Sequence, residues 1–237
     1  MSRVDEMLSR VDARLRELGS AEGIATARRF FKEPVDPYGV AAPQIRALGR
    51  ELYGEVKAWP VAERNKLCTE LWKTGKLESG GLVAYFYARF GKQCGRCEFQ
   101  LFEKWIDRYV KNWAHTDAVC TLLMEAAIRN EPELARELLA WTESKNRWKR
   151  RAAAVSLVKA GRRGEHLETI LKVAGRMMED GDEMVQKGVG WLLKETHERH
   201  PREVVAFLEK WKARTSRLLL RYAAEKMNAA ERKRVLE

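Results

Sequence analysis

Helical periodicity runs through almost the whole chain, and the strict alternation of a half-buried strand is absent. Read by that period, helices fall at approximately 3–18, 21–31, 43–56, 61–74, 80–92, 98–110, 113–129, 132–142, 147–160, 165–178, 183–199, 202–212, 216–226 and 229–236. The punctuation agrees. Pro43, Pro132 and Pro201 sit where a first turn tolerates proline, and Ser20, Asp182 and Ser216 are placed as N-caps. Gly75, Gly161 and Gly181 fall in connections. The one longer connection is KEPVDPYGVAA at 32–42, where two prolines and a glycine forbid a continuous helix.

Helix–turn–helix units recur every 30 to 40 residues without a strict repeat. That spacing predicts an all-α protein, an irregular α-solenoid of HEAT-like helix pairs with 1–237 as a single domain. A compact helical bundle is the alternative. A solenoid has a long concave face, and charge bears on its use. The chain carries 45 Lys and Arg against 34 Asp and Glu, a formal net charge of +11. Residues 145–176 hold ten bases and two acids, and residues 199–221 hold seven and two. Outside these two segments the chain sums to about −2. Basic charge gathered this way on a concave face suits a polyanion, nucleic acid first, and otherwise serves solubility.

Several classes are set aside. A chain 45% hydrophobic and 33% charged is not disordered. No apolar run approaches a membrane span, and the N-terminus lacks the apolar core of a signal peptide. Four cysteines in 237 residues do not make a disulfide scaffold, which points to a reduced, cytoplasmic protein with no membrane association.

Placing residues at about 100° per position separates tryptophans that belong to the core from those that do not. In NWAHTDAVCTLLMEAA the apolar stripe is Val119, Leu122, Leu123 and Ala126. Trp113 and Asp117, one turn apart, lie on the far side of it. In DEMVQKGVGWLLKETHE, Trp191 falls about 140° from the stripe's centre, beside Lys187 and Lys194. Either face can pack on a neighbouring helix or form a site for an anion and a flat ring. In NRWKRRAAAVSL, helix N-terminal amides with Arg147 and Arg151 make a phosphate site, or Arg151 covers Trp148 and the others are solvated.

These segments together resemble signatures of the AlkD-type alkylpurine DNA glycosylases. NWAHTD at 112–117, RWKRRAAAVSL at 147–157 and MVQKGVGWLLKE at 184–195 carry the likeness. YGVAAPQIRALGREL at 38–52 and TSRLLLRYAAEKM at 215–227 extend it over most of the chain. The resemblance implies a HEAT-like solenoid that excises N3- and N7-alkylated purines from duplex DNA, in base excision repair, with no cofactor and no metal. It makes Asp117 the catalytic carboxylate, Trp113 and Trp191 the aromatic walls, and Arg151 a contact beside the DNA backbone. Arg147, Lys149, Arg150, Lys187, Lys194, Arg214, Ser216 and Arg217 are the further candidates for DNA binding. Two departures stand out. Ala114-His115-Thr116 separates Trp113 from Asp117, which puts the hydrogen bonding around Asp117 in question, and Ala41-Ala42 precedes Pro43 where relatives are polar.

The implied chemistry suits these side chains. A cationic base leaves neutral, so no general acid is needed, and one carboxylate can stabilise the sugar cation while orienting water. Aromatic faces add about 1–2 kcal/mol each when desolvated. No residue here has the look of an amine nucleophile, so the expected enzyme is a monofunctional hydrolase, acting as a monomer, that leaves an abasic site. Cys94-Gly-Arg-Cys97 lacks a second pair or a histidine doublet for zinc. His115 points about 160° from Asp117 and is not expected to act, while His197 and His200 sit near a helix C-terminus. The rival readings are a non-catalytic solenoid that binds distorted duplex and a protein-interaction scaffold.

Overall fold

Wherever the chain offers a side-chain acceptor to free amides, a helix begins. The computed structural model describes residues 2–237; Met1, the first residue of the expected 1–237 domain, lies outside the described residues. Ser2, Ser20, Asn112, Asn146, Asp182, Ser216 and Asn228 each accept hydrogen bonds from the first turn they precede. The three caps expected from sequence, Ser20, Asp182 and Ser216, are among them. Pro43, Pro132 and Pro201 stand in first turns, where the missing amide costs nothing.

The helices are α1 (Arg3–Leu18), α2 (Ala21–Phe30), α3 (Ala42–Val56), α4 (Val61–Lys73), α5 (Leu77–Phe90) and α6 (Arg96–Arg108) in the N-terminal half. Then follow α7 (Trp113–Ala118), a π-helical segment (Val119–Met124), α8 (Glu125–Asn130), a 3-10 segment (Pro132–Glu137) and α9 (Leu138–Trp141). The C-terminal half comprises α10 (Arg147–Val155), α11 (Val158–Arg163), α12 (Leu167–Met177), α13 (Glu183–His197), α14 (Pro201–Trp211), α15 (Arg217–Ala223) and α16 (Ala229–Leu236). The described residues contain no strand, only an isolated bridge between Asp36 and Lys76.

Packing passes from helix to helix along the chain. α1 lies on α4, α4 and α3 on α5, and α5 on α7 and the π segment. α6 meets α10, and α10 meets α13. α13 in turn touches α11, α12, α14 and α15, and α16 closes the end against α14 and α15. This is the all-α solenoid that the periodicity implies. One buried apolar cluster runs through it, from Val4 and Met7 through Phe86 and Trp105 to Leu193 and Val235.

α2 is the exception. None of its residues is buried. It is held at its start, where Gly23 lets the backbone of Gly39 approach so closely that a Cβ would sit 2.1 Å from the Gly39 carbonyl oxygen. Gly39 itself takes a positive φ of 83°, a conformation that favours glycine.

Three helix boundaries are corrected, and Gly161, expected in a connection, lies inside α11. The helix expected over 113–129 is continuous but widens into a π segment directly after α7. The one expected over 147–160 breaks at Ser156-Leu157, and 132–142 opens as a 3-10 turn.

Candidate active site

The site is assembled from α7, α10, α13 and α15, with the end of α2 and the arm that follows it. Asn112 caps α7, accepting from the His115 amide at 2.8 Å. Its side-chain nitrogen lies 3.2 Å from His115 Nδ1, and His115 Nε2 lies 2.9 Å from the Leu77 carbonyl. Gly80 makes the room: a Cβ there would meet His115 Nε2 at 2.5 Å. Thr116 is fully buried and bonds back to the Asn112 carbonyl at 2.9 Å. Burial pushes the His115 imidazole below its usual range, so it is a neutral post rather than a proton carrier. The Ala-His-Thr departure therefore anchors α7 from below and leaves Asp117 to another partner.

That partner is Arg151. From α10 its Nε donates to Asp117 Oδ1 and its Nη2 to Oδ2, both at 2.9 Å, while Nη1 donates to the Met184 carbonyl at 2.5 Å. The fork is bidentate, the geometry that best holds a carboxylate in one orientation. Gly188 leaves space for it, since a Cβ there would lie 3.2 Å from Arg151 Cγ. Desolvation raises the Asp117 carboxyl above the ordinary carboxylate range, and Arg151 pulls it partly back. Arg151 does not cover Trp148. Arg147 does, with its guanidinium 4.3 Å from the indole centre.

Asp117 opens on a cleft of about 580 Å³ lined by Phe30, Lys32, Glu33, Trp113, Arg151, Met184, Lys187, Trp191, Lys194 and Tyr222. The cleft thus brings together Trp113, Asp117, Arg151, Lys187, Trp191 and Lys194, as the sequence reading grouped them. Trp113 and Trp191 are half-buried, whereas five of the other tryptophans, at 59, 72, 105, 141 and 148, are core. Phe31 stacks on Trp113 with centroids 5.5 Å apart and planes at 29°, and Phe30 tilts against the same indole at 5.6 Å. Arg147 reaches the rim, pairing with Glu33 and, at 3.2 Å, with Asp182. Lys32 pairs with Glu183 at 3.2 Å.

The remaining expected DNA contacts are elsewhere. Lys149 faces Glu103 and Asp107 at 2.9 and 2.7 Å, and Arg150 holds Asp180 at 2.7 Å. Arg214 pairs with Glu179, and Arg217 bonds the Leu236 carbonyl. Ser216 caps α15 and donates to Gln186 Oε1 at 2.8 Å. The basic segments thus spread their charge over several faces. Phe30, Glu33 and Tyr222 were not singled out from sequence; only an aromatic pair before a proline-broken loop could have signalled the first.

The four cysteines are free, Cys97 exposed and the others buried. Among the described residues no three of His, Cys, Asp or Glu gather as a metal ion would need. No helix among them is long and apolar enough to cross a membrane.

Fold and cleft together define an all-α protein of stacked helices with a carboxylate-centred aromatic site. The family model for DNA alkylation repair enzymes matches residues 11–227, and the chain belongs to that family. The fold is similar to that of a predicted DNA alkylation repair enzyme from Enterococcus faecalis. The TM-score is 0.80 at 16% identity, over 89% of this chain and 97% of that one. It is also similar to smu.31 from Streptococcus mutans UA159, with a TM-score of 0.59 at 17% identity, covering 79% of this chain and 99% of the other. None of the curated proteins matches the chain.

Proposed function

We propose that the protein is a monofunctional DNA glycosylase that hydrolyses the N-glycosidic bond of cationic N3- and N7-alkylated purines in duplex DNA. It works as a single HEAT-like domain, as a monomer on cytoplasmic DNA, and leaves an abasic site. One observation carries the reading: Asp117, largely desolvated and fixed by Arg151, shares a cleft with Trp113 and Trp191.

The alkylated base already bears a positive charge. When the bond from C1′ to the base nitrogen breaks, its electron pair stays with the base, which leaves neutral, and the sugar becomes an oxocarbenium ion. Water then adds to C1′ and gives up a proton. Asp117 faces the cation as it forms. At about 4 Å and an effective dielectric near 20, a carboxylate and a unit cation attract by about 4 kcal/mol, or about three decades in rate. Arg151, paired with both Asp117 oxygens, takes back part of that and acts as a positioning residue. The faces of Trp113 and Trp191 favour the same charge. Lys187 and Lys194 on the cleft wall and Arg147 at its rim hold phosphates.

The bidentate pairing also fits a second reading, a module that binds damaged duplex without chemistry, because Arg151 already satisfies both Asp117 oxygens. Base release from a duplex carrying 7-methylguanine separates the two. The enzyme releases free base, and Asp117→Asn slows release by about 10²–10³-fold while the duplex is still bound. Tight binding by wild type with no release leaves the binding module, and no binding at low salt removes both.

A further inference from the structure

α2 ends in three consecutive exposed residues, Arg28, Arg29 and Phe30, of which Phe30 tilts against Trp113. Phe30 is 68% exposed, and among the described residues the only other large apolar side chain so classed is Val61, at 48% on α4. A phenylalanine left in water at the lip of a cleft needs a reason. Its position is not a loose one. Phe30 sits edge-on to Phe31 with centroids 5.5 Å apart, and Phe31 is stacked on Trp113. The two residues after Phe31 are tied across the cleft, Lys32 to Glu183 and Glu33 to Arg147. The ring is thus carried on a braced arm that lines the same cleft as Asp117.

The two arginines add the second observation. Among the described residues neither Arg28 nor Arg29 has an acidic partner, although bases nearer the cleft, Arg147, Arg151, Lys187 and Lys194, all do. The helix that carries them buries none of its residues and is held mainly at its first turn. Free cations within one turn of an exposed ring, beside a cleft that opens on Asp117, have the chemistry of a duplex contact: cations for two phosphates and an apolar wedge for a base step.

We propose that the last turn of α2 is a DNA-contacting element in which Phe30 wedges against the base step at the damaged nucleotide and Arg28 and Arg29 hold the flanking phosphates. This rests on the reading of the cleft as a site for damaged duplex. It adds a contact in the N-terminal arm, beside Trp113, to the site around Asp117. A wedge here would keep the duplex distorted at the cleft while the base stays accessible to Asp117 from the side.

The test uses the full chain and two 25-base-pair duplexes of one sequence, one unmodified and one carrying a tetrahydrofuran abasic analogue. Binding is followed by anisotropy across a salt series. Arg28→Ala with Arg29→Ala lowers the slope of log affinity against log salt by about 1.8, the loss of two phosphate contacts. Phe30→Ala cuts the preference for the abasic duplex about 5–10-fold and leaves the salt slope in place, while Phe30→Trp restores the preference. Thermal midpoints within a few degrees of wild type show that the folds are intact, and the exposure of all three side chains favours that result. If wild type binds duplex while the slope and the preference survive both sets of changes, the arm is not a DNA contact, and Phe30 faces something else, such as a protein. If wild type binds neither duplex at low salt, the reading of the cleft falls with it.

Discussion

Asp117 and Arg151 act as one unit, and their chemistry is legible in a pH profile. Burial holds the Asp117 carboxyl above its usual range, so the ionised form that the proposed reaction requires is lost at a higher pH than for an exposed aspartate. Base release is therefore expected to fall on the acid side through one ionisation lying above the ordinary carboxylate value of about 3.9. Arg151 lowers that value, so Arg151→Ala moves the acid limb upward as well as slowing the reaction. A limb that stays put, measured by single-turnover base release from pH 4 to 8, sinks the positioning role. At this scale the sequence was informative about faces. Trp113, Asp117 and Trp191 stood out because each lies off its own helix's apolar stripe. The pairing of Arg151 with Asp117 was not legible, since 34 positions separate them and only packing decides which of several arginines turns inward. The angle of His115 turns it away from Asp117, but its buried bond to the Leu77 carbonyl needed the fold.

Helices in this protein are placed by small residues and by one irregular turn. Gly190 sits under Tyr222, where a Cβ would meet Tyr222 Cβ at 2.5 Å and the Leu219 carbonyl at 3.0 Å. Gly190→Ala must push α15 from α13, and a loss of about 1–3 kcal/mol is expected in denaturant unfolding, together with weaker activity because Tyr222 lines the cleft. A variant as stable as wild type would show that α15 yields freely. The π segment Val119–Met124 begins two residues after Asp117, and Thr121 closes part of the widened turn by donating to the Asp117 carbonyl at 2.7 Å. Such segments hold one residue more than a regular helix. Inserting one alanine after Leu122 exceeds what the widened turn absorbs and turns everything before it by about 100°. Circular dichroism is then expected to show retained helix, and base release to vanish because Asp117 and Trp113 leave the cleft. Retained activity would mean the winding is incidental. Helix existence was readable from periodicity, but the π segment, the break after Val155 and the 3-10 start at Pro132 were not, since apolar periodicity does not report how tightly the backbone winds.

As a whole, the molecule spreads positive charge widely and then neutralises much of it. Lys149, Arg150 and Arg214 answer acids away from the cleft, which is why a count of bases along the sequence overstated the basic surface. The apolar cluster, in contrast, is continuous from α1 to α16. If residues 1–237 form one domain, thermal and urea unfolding trace a single transition by both fluorescence and circular dichroism. Two separated transitions would divide the solenoid and rule that out.

In a stack of helices held only by neighbours, strain passes from layer to layer and the ends are free to splay. The arm after α2 changes this. Its pairs from Lys32 to Glu183 and from Glu33 to Arg147 reach across 151 and 114 positions of chain, so they behave like the tie of an arch. The exposed Lys32–Glu183 pair contributes no more than about 1 kcal/mol, so that half of the tie sets the span at rest without locking it. A polyanion laid across the opening competes with Glu33 and Glu183 for the same cations. The arch would then widen only under the load it was shaped to bear.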